Sequence, residues 1–164
     1  MHSNHEATAA LWKKIEHVRI GMLTTVAADN TLVSRPMTNQ KVDKDGLLWF
    51  YVSDESAVSK QIDVQPNVCV SFTALEDSLY VSVSGRADIV KDKALIHSMW
   101  NPIVAAWFPN GPDDPHVALI KVEIHSAEYW DSKLSKMTQL LKMAAAAVTG
   151  KPPTDISDHK KIAL

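Results

Sequence analysis

The residues with the clearest chemical potential are an arginine and a proline inside a strand-like segment. Arg35 and Pro36 lie in residues 31–42, which read as a strand that a turn at 43–46 joins to a second strand, 47–53. Proline cannot donate a ladder hydrogen bond, so Pro36 indicates an edge strand or a bulge. Backbone groups freed at a bulge, next to a fixed cation, predict a site for an anionic ligand.

The motifs of several other kinds of site are missing from the sequence. No Gly-x-Gly-x-x-Gly, phosphate-loop or Gly-x-Ser-x-Gly sequence occurs, which argues against Rossmann and P-loop nucleotide binding and against a nucleophile elbow. The histidines are scattered and no metal motif stands out, so no metal is expected. No catalytic residue can be named, and an enzyme built on this chain would take its chemistry from an organic cofactor.

The composition indicates one ordinary soluble domain with no membrane or nucleic-acid partner. The 164 residues are 46% hydrophobic and carry a net charge of -2, which gives no basic surface for anionic polymers. No apolar run approaches the ~20 residues that span a bilayer, and the start lacks a signal peptide. Cys69 lies in an apolar run, where a buried, inert thiol is expected and a reactive thiol is the alternative. These features together predict a cytoplasmic location.

The elements that must position Arg35 and Pro36 predict a mainly β chain. Besides the two strands already named, strands are predicted at 20–27, 68–75, 79–90 and 116–130. Helices are predicted at 5–18, 54–65, 91–100 and from 131 or 132 to 148, and the proline-rich segment 101–115 reads as an irregular loop. Because the strands mostly follow one another without crossover helices, they favour a closed antiparallel barrel. One domain would span 1–148, and 149–164 would form a polar, mobile tail.

The strand at 79–90 has the cleanest alternation in the chain. Apolar residues and Gly85 occupy one face, and polar residues including Tyr80 occupy the other. This period of two predicts a half-buried strand, and Gly85 in its middle permits a bend or a close backbone approach.

An ordered set of motifs runs along the chain. The motifs are Ser34–Thr38, Leu48–Ser53, Ser56 ahead of a short helix, Gln65–Phe72, Tyr80–Ala87, Trp107–Pro115 and Ala127–Asp131. In this order and spacing, over roughly residues 8–132, the chain resembles the pyridoxamine 5'-phosphate oxidase-like superfamily and its general stress protein branch. The resemblance implies a six-stranded antiparallel split β-barrel with N- and C-terminal helices, a homodimer, and FMN bound in a groove that the two subunits share.

The resemblance also implies which residues surround the flavin. Arg35 would donate to the phosphate or ribityl chain, and backbone groups around Met37 would face the ring edge. Ser56 would bind phosphate with its hydroxyl and the amides at a helix start, with a plain helix cap as the alternative. The implied cofactor-binding residues are Arg35, Pro36, Met37, Thr38, Tyr51, Val52, Ser53, Ser56, Lys60, Tyr80, Trp107 and Trp130.

Packing is the alternative role for several of these residues. Tyr51 and Val52 would then pack within the strand, and Tyr80 would pack across the dimer. Trp107 and Trp130 would cover the ring or the substrate space, or would serve in the core or an interface.

The chain departs from the family pattern where basic residues are common. Ala57 and Val58 follow the serine, and Gln40 stands where the oxidases carry a lysine. Losing one cationic partner typically costs ~1.5–3 kcal/mol, on the order of tenfold to a hundredfold in affinity. The partners left for a phosphate are Arg35, Ser56 and Ser59 or Lys60. The chain also ends in a lysine-bearing helix and tail instead of the arginine and histidine of the true oxidases, so vitamin B6 oxidation is not supported.

Three functions are compatible with these residues. The first is a cytoplasmic homodimeric flavoprotein that binds FMN and exchanges electrons with a small molecule, in a stress response. The second is a non-catalytic protein that binds or stores FMN or another anionic planar ligand. The third is a ligand-free dimer whose apolar C-terminal helix docks a partner.

Overall fold

A sheet of eight strands dominates the part of the chain that this computed structural model describes, residues 2–42, 46–132, 136–152 and 158–163. The strands are β1 (Ile20–Val26), β2 (Leu32–Thr38), β3 (Lys41–Val42), β4 (Leu47–Ser53), β5 (Asn67–Ala74), β6 (Leu79–Val90), β7 (Val117–Asp131) and β8 (Asp158–Ala163). The helices are α1 (His2–Ile15), α2 (Ala57–Val64), α3 (Lys93–Met99), α4 (Pro102–Trp107) and α5 (Lys136–Thr149). Residues 43–45 of the predicted turn lie outside the described residues.

Strand β7 organises the sheet because it pairs with three other strands. β6 runs antiparallel along almost all of β7, from Tyr80↔Trp130 to Val90↔Leu119. On the other edge of β7, β4 pairs with residues 117–123 and β8 pairs with residues 126–131. From β6 the sheet continues through β5 and β1 to β2, which also contacts β4. The predicted class, a mainly β antiparallel barrel with peripheral helices, is confirmed, with eight strands instead of six.

Side chains from the sheet and from α1 fill the barrel interior. The strands contribute Leu23, Phe50 and Phe72, which are fully or almost fully buried. α1 adds Leu11 and Ile15, which lie about one helical turn apart and are both completely buried in the same cluster.

A second apolar cluster lies on the opposite face of β4 and β7 and is covered by α3 and α4. Tyr51 alternates with the interior residues of β4 and therefore belongs to this outer cluster, together with Leu119 of β7. Ile96 of α3 and Val104 of α4 pack against them. The outer cluster thus fixes both helices on the strand that carries Tyr51.

Two segments, 101–115 and 158–163, differ from the sequence predictions. The predicted irregular loop 101–115 contains α4, because Asn101 caps the helix and Pro102 takes the first helical position, where no N–H is needed. The prediction of a mobile tail is wrong for residues 158–163, which pair with β7 as β8 and bury Ile162 in the interior.

The apolar stripe predicted for the C-terminal helix is largely open to solvent. In α5, Leu140 and Leu141 are both about two-thirds exposed. This stripe therefore does not cover the barrel of its own chain. Among the described residues, no helix is long and apolar enough to cross a bilayer.

Gly85 lies where β6 and β7 approach most closely. The register between the two strands shifts between Ser84 and Gly85, which pair with Ser126 and Ile124. A Cβ atom on Gly85 would lie 2.2 Å from the backbone oxygen of Glu123. The close backbone approach predicted from the sequence is therefore confirmed, and glycine is required because no larger residue fits.

We expect Gly85→Ala to destabilise the protein by about 1–3 kcal/mol, because the added methyl group meets backbone that cannot rotate away. Urea denaturation followed by tryptophan fluorescence measures the free energy of unfolding. Ser84→Ala is the matched control, since Ser84 is exposed on the same strand. Equal stability of the two variants would contradict the close approach.

Candidate functional site

A cavity of about 260 Å³ lies between β2, β4 and α4. The strands and the residues that follow β2 form one wall, with Pro36, Met37, Thr38, Gln40 and Tyr51. The helical segment forms the other wall, with Ile103, Val104, Trp107 and Phe108. Five of the twelve predicted cofactor-binding residues are therefore brought together here, namely Pro36, Met37, Thr38, Tyr51 and Trp107.

Tyr51 is a fixed, neutral part of the strand wall. Its hydroxyl donates to the backbone oxygen of Ile96 at 2.5 Å, and its ring meets Trp100 edge-on at a centroid distance of 5.5 Å. Burial raises the pKa of Tyr51 to about 12. The ring therefore offers an apolar surface to the cavity, and its hydroxyl is committed to α3.

Asn101 connects the two walls of the cavity. Its Oδ1 accepts hydrogen bonds from the backbone N–H groups of Ile103 and Val104, which caps α4. Its Nδ2 donates to Oε1 of Gln40 at 2.9 Å, and Nε2 of Gln40 donates to the backbone oxygen of Thr38 at 3.1 Å. One chain of hydrogen bonds therefore holds α4 against the end of β2.

Most of the helical wall was not predicted from the sequence. Ile103, Val104 and Phe108 line the cavity without having been predicted there. The signal that could have found them is the dipeptide Asn101-Pro102, which is a helix N-cap followed by proline at the first helical position.

Arg35 does not line the cavity. Its guanidinium lies against β1 and α2. It donates to Thr25 Oγ1, to Gln61 Oε1 at 3.1 Å and to the backbone oxygen of Leu23 at 3.5 Å. Thr25 also donates to Gln61 Oε1 at 2.6 Å, so the three side chains form one network between β1, β2 and α2. Burial lowers the pKa of Arg35, but an arginine remains a cation under all ordinary conditions.

Ser56 forms the cap of α2, which was the alternative to a phosphate contact. Its Oγ accepts from the backbone N–H of Ser59 at 3.2 Å. Ser59 is almost completely buried and donates to the backbone oxygen of Ser53 at 2.7 Å. These bonds attach the start of α2 to the end of β4. Lys60 in the first turn is exposed.

Three other predicted site residues lie away from the cavity of their own chain. Val52 is buried in the barrel interior, on the opposite face of β4 from Tyr51. Tyr80 and Trp130 pair across β6 and β7, at the end of β7 distant from the residues that pair with Tyr51. Trp130 stacks on the ring of His159 at a centroid distance of 5.0 Å. Tyr80 and Trp130 therefore form a separate outer patch.

A charged cluster secures the segment between α4 and β7. Asp54, which follows β4, forms ion pairs with Lys91 and with His116 Nδ1. Glu55 lies 3.7 Å from the same imidazole nitrogen. The hydrogen bond that His116 donates to Asp54, with the negative charge of Glu55, raises the pKa of His116. The hydrogen bonds that Asp54 accepts from Lys91 and His116 lower the pKa of Asp54.

The walls of the cavity can bind a flat apolar surface better than they can perform acid–base chemistry. None of the described residues that line it is charged. Nor do three or more histidine, cysteine, aspartate or glutamate side chains in the described part of the chain form a group suited to a metal ion. The described lining residues therefore include no charged group that could act as an acid or a base.

We expect Asn101→Ala to destabilise α4 by about 0.5–2 kcal/mol, since the helix loses its cap and its bond to Gln40. Hydrogen exchange of the amides in Ile103–Trp107 measures the local effect. Asn101→Asp is the matched control, because it keeps the capping oxygen and loses the Nδ2 group that donates to Gln40 and to the backbone oxygen of Met99. Equal amide protection in wild type and Asn101→Ala would show that the cap does not hold α4.

We expect His116 to make stability depend on pH. A histidine whose pKa is raised by folding stabilises the native state below its ordinary pKa of about 6.5, and this contribution is lost as the pH rises through the raised value. The free energy of unfolding should therefore fall more steeply above about pH 6.5 in wild type than in His116→Gln. Urea titrations at several pH values test this, with exposed His125→Gln as the control. Parallel profiles for wild type and His116→Gln would exclude the contribution.

Comparisons with known proteins agree with this architecture. Residues 6–154 match the family model for proteins like pyridoxamine 5'-phosphate oxidase. Protein bli-3 of Neurospora crassa is 30% identical over 142 residues, which cover 81% of this chain and 68% of bli-3. The general stress FMN/FAD binding protein of Xanthomonas citri is 30% identical, with a TM-score of 0.68 over 79% of this chain and 92% of that one.

A third comparison concerns the fold alone, because the identity is only 24%. A general stress protein 26 candidate from Jannaschia sp. CCS1 superposes with a TM-score of 0.75 over 97% of this chain and 99% of that one. The sheet, the helices around it and the cavity wall formed by β2 and β4 thus belong to a known architecture. By its sequence and by its fold, this chain is a member of the pyridoxamine 5'-phosphate oxidase-like family, among its general stress proteins.

Proposed function

We propose that the protein is a homodimeric flavoprotein that binds FMN with its ring system in the cavity between β2, β4 and α4. We further propose that it exchanges electrons with a small molecule as part of a stress response. The observation that carries the proposal is the uncharged cavity whose strand wall includes Pro36, Met37 and Thr38, the segment that the family resemblance assigns to the flavin. The Xanthomonas citri relative, named as an FMN/FAD binding protein, supports it.

The cavity walls would bind and orient a ring system without taking part in proton transfer. Tyr51 keeps its proton, and its hydroxyl is directed to Ile96. Gln40 is held by Asn101 and Thr38, so its amide has one orientation. When bound, FMN would supply the electron or hydride transfer, and the protein would supply position and exclusion of water.

Arg35 is the proposed partner of the phosphate or ribityl chain. A guanidinium carries five N–H groups. Within the described part of the chain, three of them donate to Leu23, Thr25 and Gln61, and two remain to donate to a ligand. The network holds the cation in place before a ligand arrives, which reduces the entropy lost on binding. The amides at the start of α2, behind the Ser56 cap, are a second source of donors.

The proposed dimer rests on the incompleteness of the cavity in one chain. Its volume is below the ~300–1,000 Å³ of typical ligand sites. The outer face of β1 and β2 exposes Ile20, Met22 and Leu32, and Met22 pairs with Pro36 of the cavity wall. A second copy that covers this apolar strip would complete the cavity, and it would bring its own Tyr80 and Trp130 within reach of a shared groove.

A non-catalytic role in binding or storing FMN is the second candidate. The absence of a charged side chain among the described lining residues favours it, because no acid–base pair is available there. Reduction by a nicotinamide separates the two candidates. Bleaching of the flavin absorbance by NADH or NADPH indicates an oxidoreductase. A bound flavin that is reduced by neither NADH nor NADPH indicates storage.

We expect the purified protein to be yellow, with about one FMN per chain by absorbance and by mass spectrometry of the released cofactor. Sedimentation should give the mass of a dimer. A colourless protein that does not quench FMN fluorescence on titration would contradict the proposal.

In the same titration, Arg35→Ala should weaken FMN binding by about tenfold to a hundredfold, the effect of removing one charged donor. Arg19→Ala is the matched control, since Arg19 is an exposed arginine before β1. Circular dichroism verifies that both variants are folded. An unchanged dissociation constant for folded Arg35→Ala would remove Arg35 from the site.

A further inference from the structure

Two exposed apolar side chains lie on the helical wall of the cavity. Trp107 is 78% exposed and Ile103 is 44% exposed, and both project from α4 at the cavity. An exposed tryptophan beside a cavity offers a large flat face to a second molecule. The rigid attachment of α4 through Asn101 keeps that face in one position.

Most polar groups on the lining side chains are already bonded within the protein. The Tyr51 hydroxyl donates to Ile96, and both ends of the Gln40 amide are engaged by Thr38 and Asn101. Pro36 has no N–H group to offer. Within the described part of the chain, the indole N–H of Trp107 and the hydroxyl of Thr38 are left as donors for an oxygen atom on a ligand.

From these observations we infer that the molecule that binds beside the flavin is an uncharged, planar aromatic compound with a carbonyl or hydroxyl oxygen. It stacks on Trp107 and contacts Ile103, and its oxygen accepts from the indole N–H. This inference rests on the proposed function, because it assigns the strand wall to the flavin and the helical wall to the second molecule.

A phosphate or carboxylate on that molecule would be unfavourable. Burying an ionised group without a partner is costly, and the described lining residues include no lysine, arginine or histidine. The cation on β2 itself, Arg35, is bonded to Thr25 and Gln61 and does not line the cavity. The site therefore selects against the charged substrates that the family's name suggests.

The test compares two probes that share a ring system and differ in charge, 2-naphthol and naphthalene-2-sulfonate. Calorimetric titration of the FMN-loaded protein gives a dissociation constant for each probe. We expect 2-naphthol to bind at least about tenfold more tightly, a difference of ~1.4 kcal/mol. Sulfonate binding that is equal or tighter, or no detectable binding of 2-naphthol, would overturn the inference.

Three variants locate the probe on the helical wall. Trp107→Ala should weaken 2-naphthol binding by about two- to tenfold, the loss of one aromatic contact. Ile103→Lys adds a cation at the rim and should tighten naphthalene-2-sulfonate by about two- to fivefold. Leu75→Ala, an exposed residue just after β5, is the control and should change neither constant. If Trp107→Ala and Ile103→Lys both behave as Leu75→Ala does, the helical wall is not the binding surface.

The FMN content of every sample separates the two proposals. A protein that retains FMN but shows no preference for 2-naphthol overturns only the inference about the second molecule. A protein that never binds FMN overturns the proposed function and, with it, the inference. Loss of FMN in Trp107→Ala alone would assign that indole to the flavin instead, and would likewise overturn the inference.

Discussion

The fold depends on keeping one long strand, β7, paired along both of its edges. A straight strand of fifteen residues could not follow a barrel wall, and the register shift at Ser84 and Gly85 supplies the bend. On the other edge of β7, β4 pairs with the residues before the register shift and β8 pairs with the residues after it. The cavity is therefore built at the β4 end, and the patch of Tyr80 and Trp130 lies at the other.

Hydrogen bonds between elements hold the cavity walls, together with the outer apolar cluster that packs α3 and α4 against β4 and β7. Asn101 bonds to α4 and to Gln40, the Tyr51 hydroxyl bonds to α3, and Ser59 bonds the start of α2 to the end of β4. Each of these groups is fixed before any ligand arrives. A preformed cavity of this kind favours recognition by shape, because its walls lose little freedom when a rigid ring system enters.

Alternation and helical spacing were enough to predict most of the sheet, because buried residues alternate with more exposed ones along 79–87 and along 120–124. α4 was not predicted, since four prolines between 101 and 115 outweighed the capping signal of Asn101. β8 was not predicted because its composition is polar, and it is stabilised by an edge of β7 far away in sequence. The positions of Arg35, Tyr80 and Trp130 relative to a ligand depend on neighbouring elements, and no local pattern encodes them.

The position of β8 has a consequence for one edge of β7. Residues 126–131 of β7 pair on this edge with β8, which comes from the far side of α5 in the chain. If β8 detached alone, that stretch of β7 would become an unpaired edge, and unpaired edges attract other extended chains. β8, secured by Ile162 in the interior, therefore shields residues 126–131 from pairing with a second molecule.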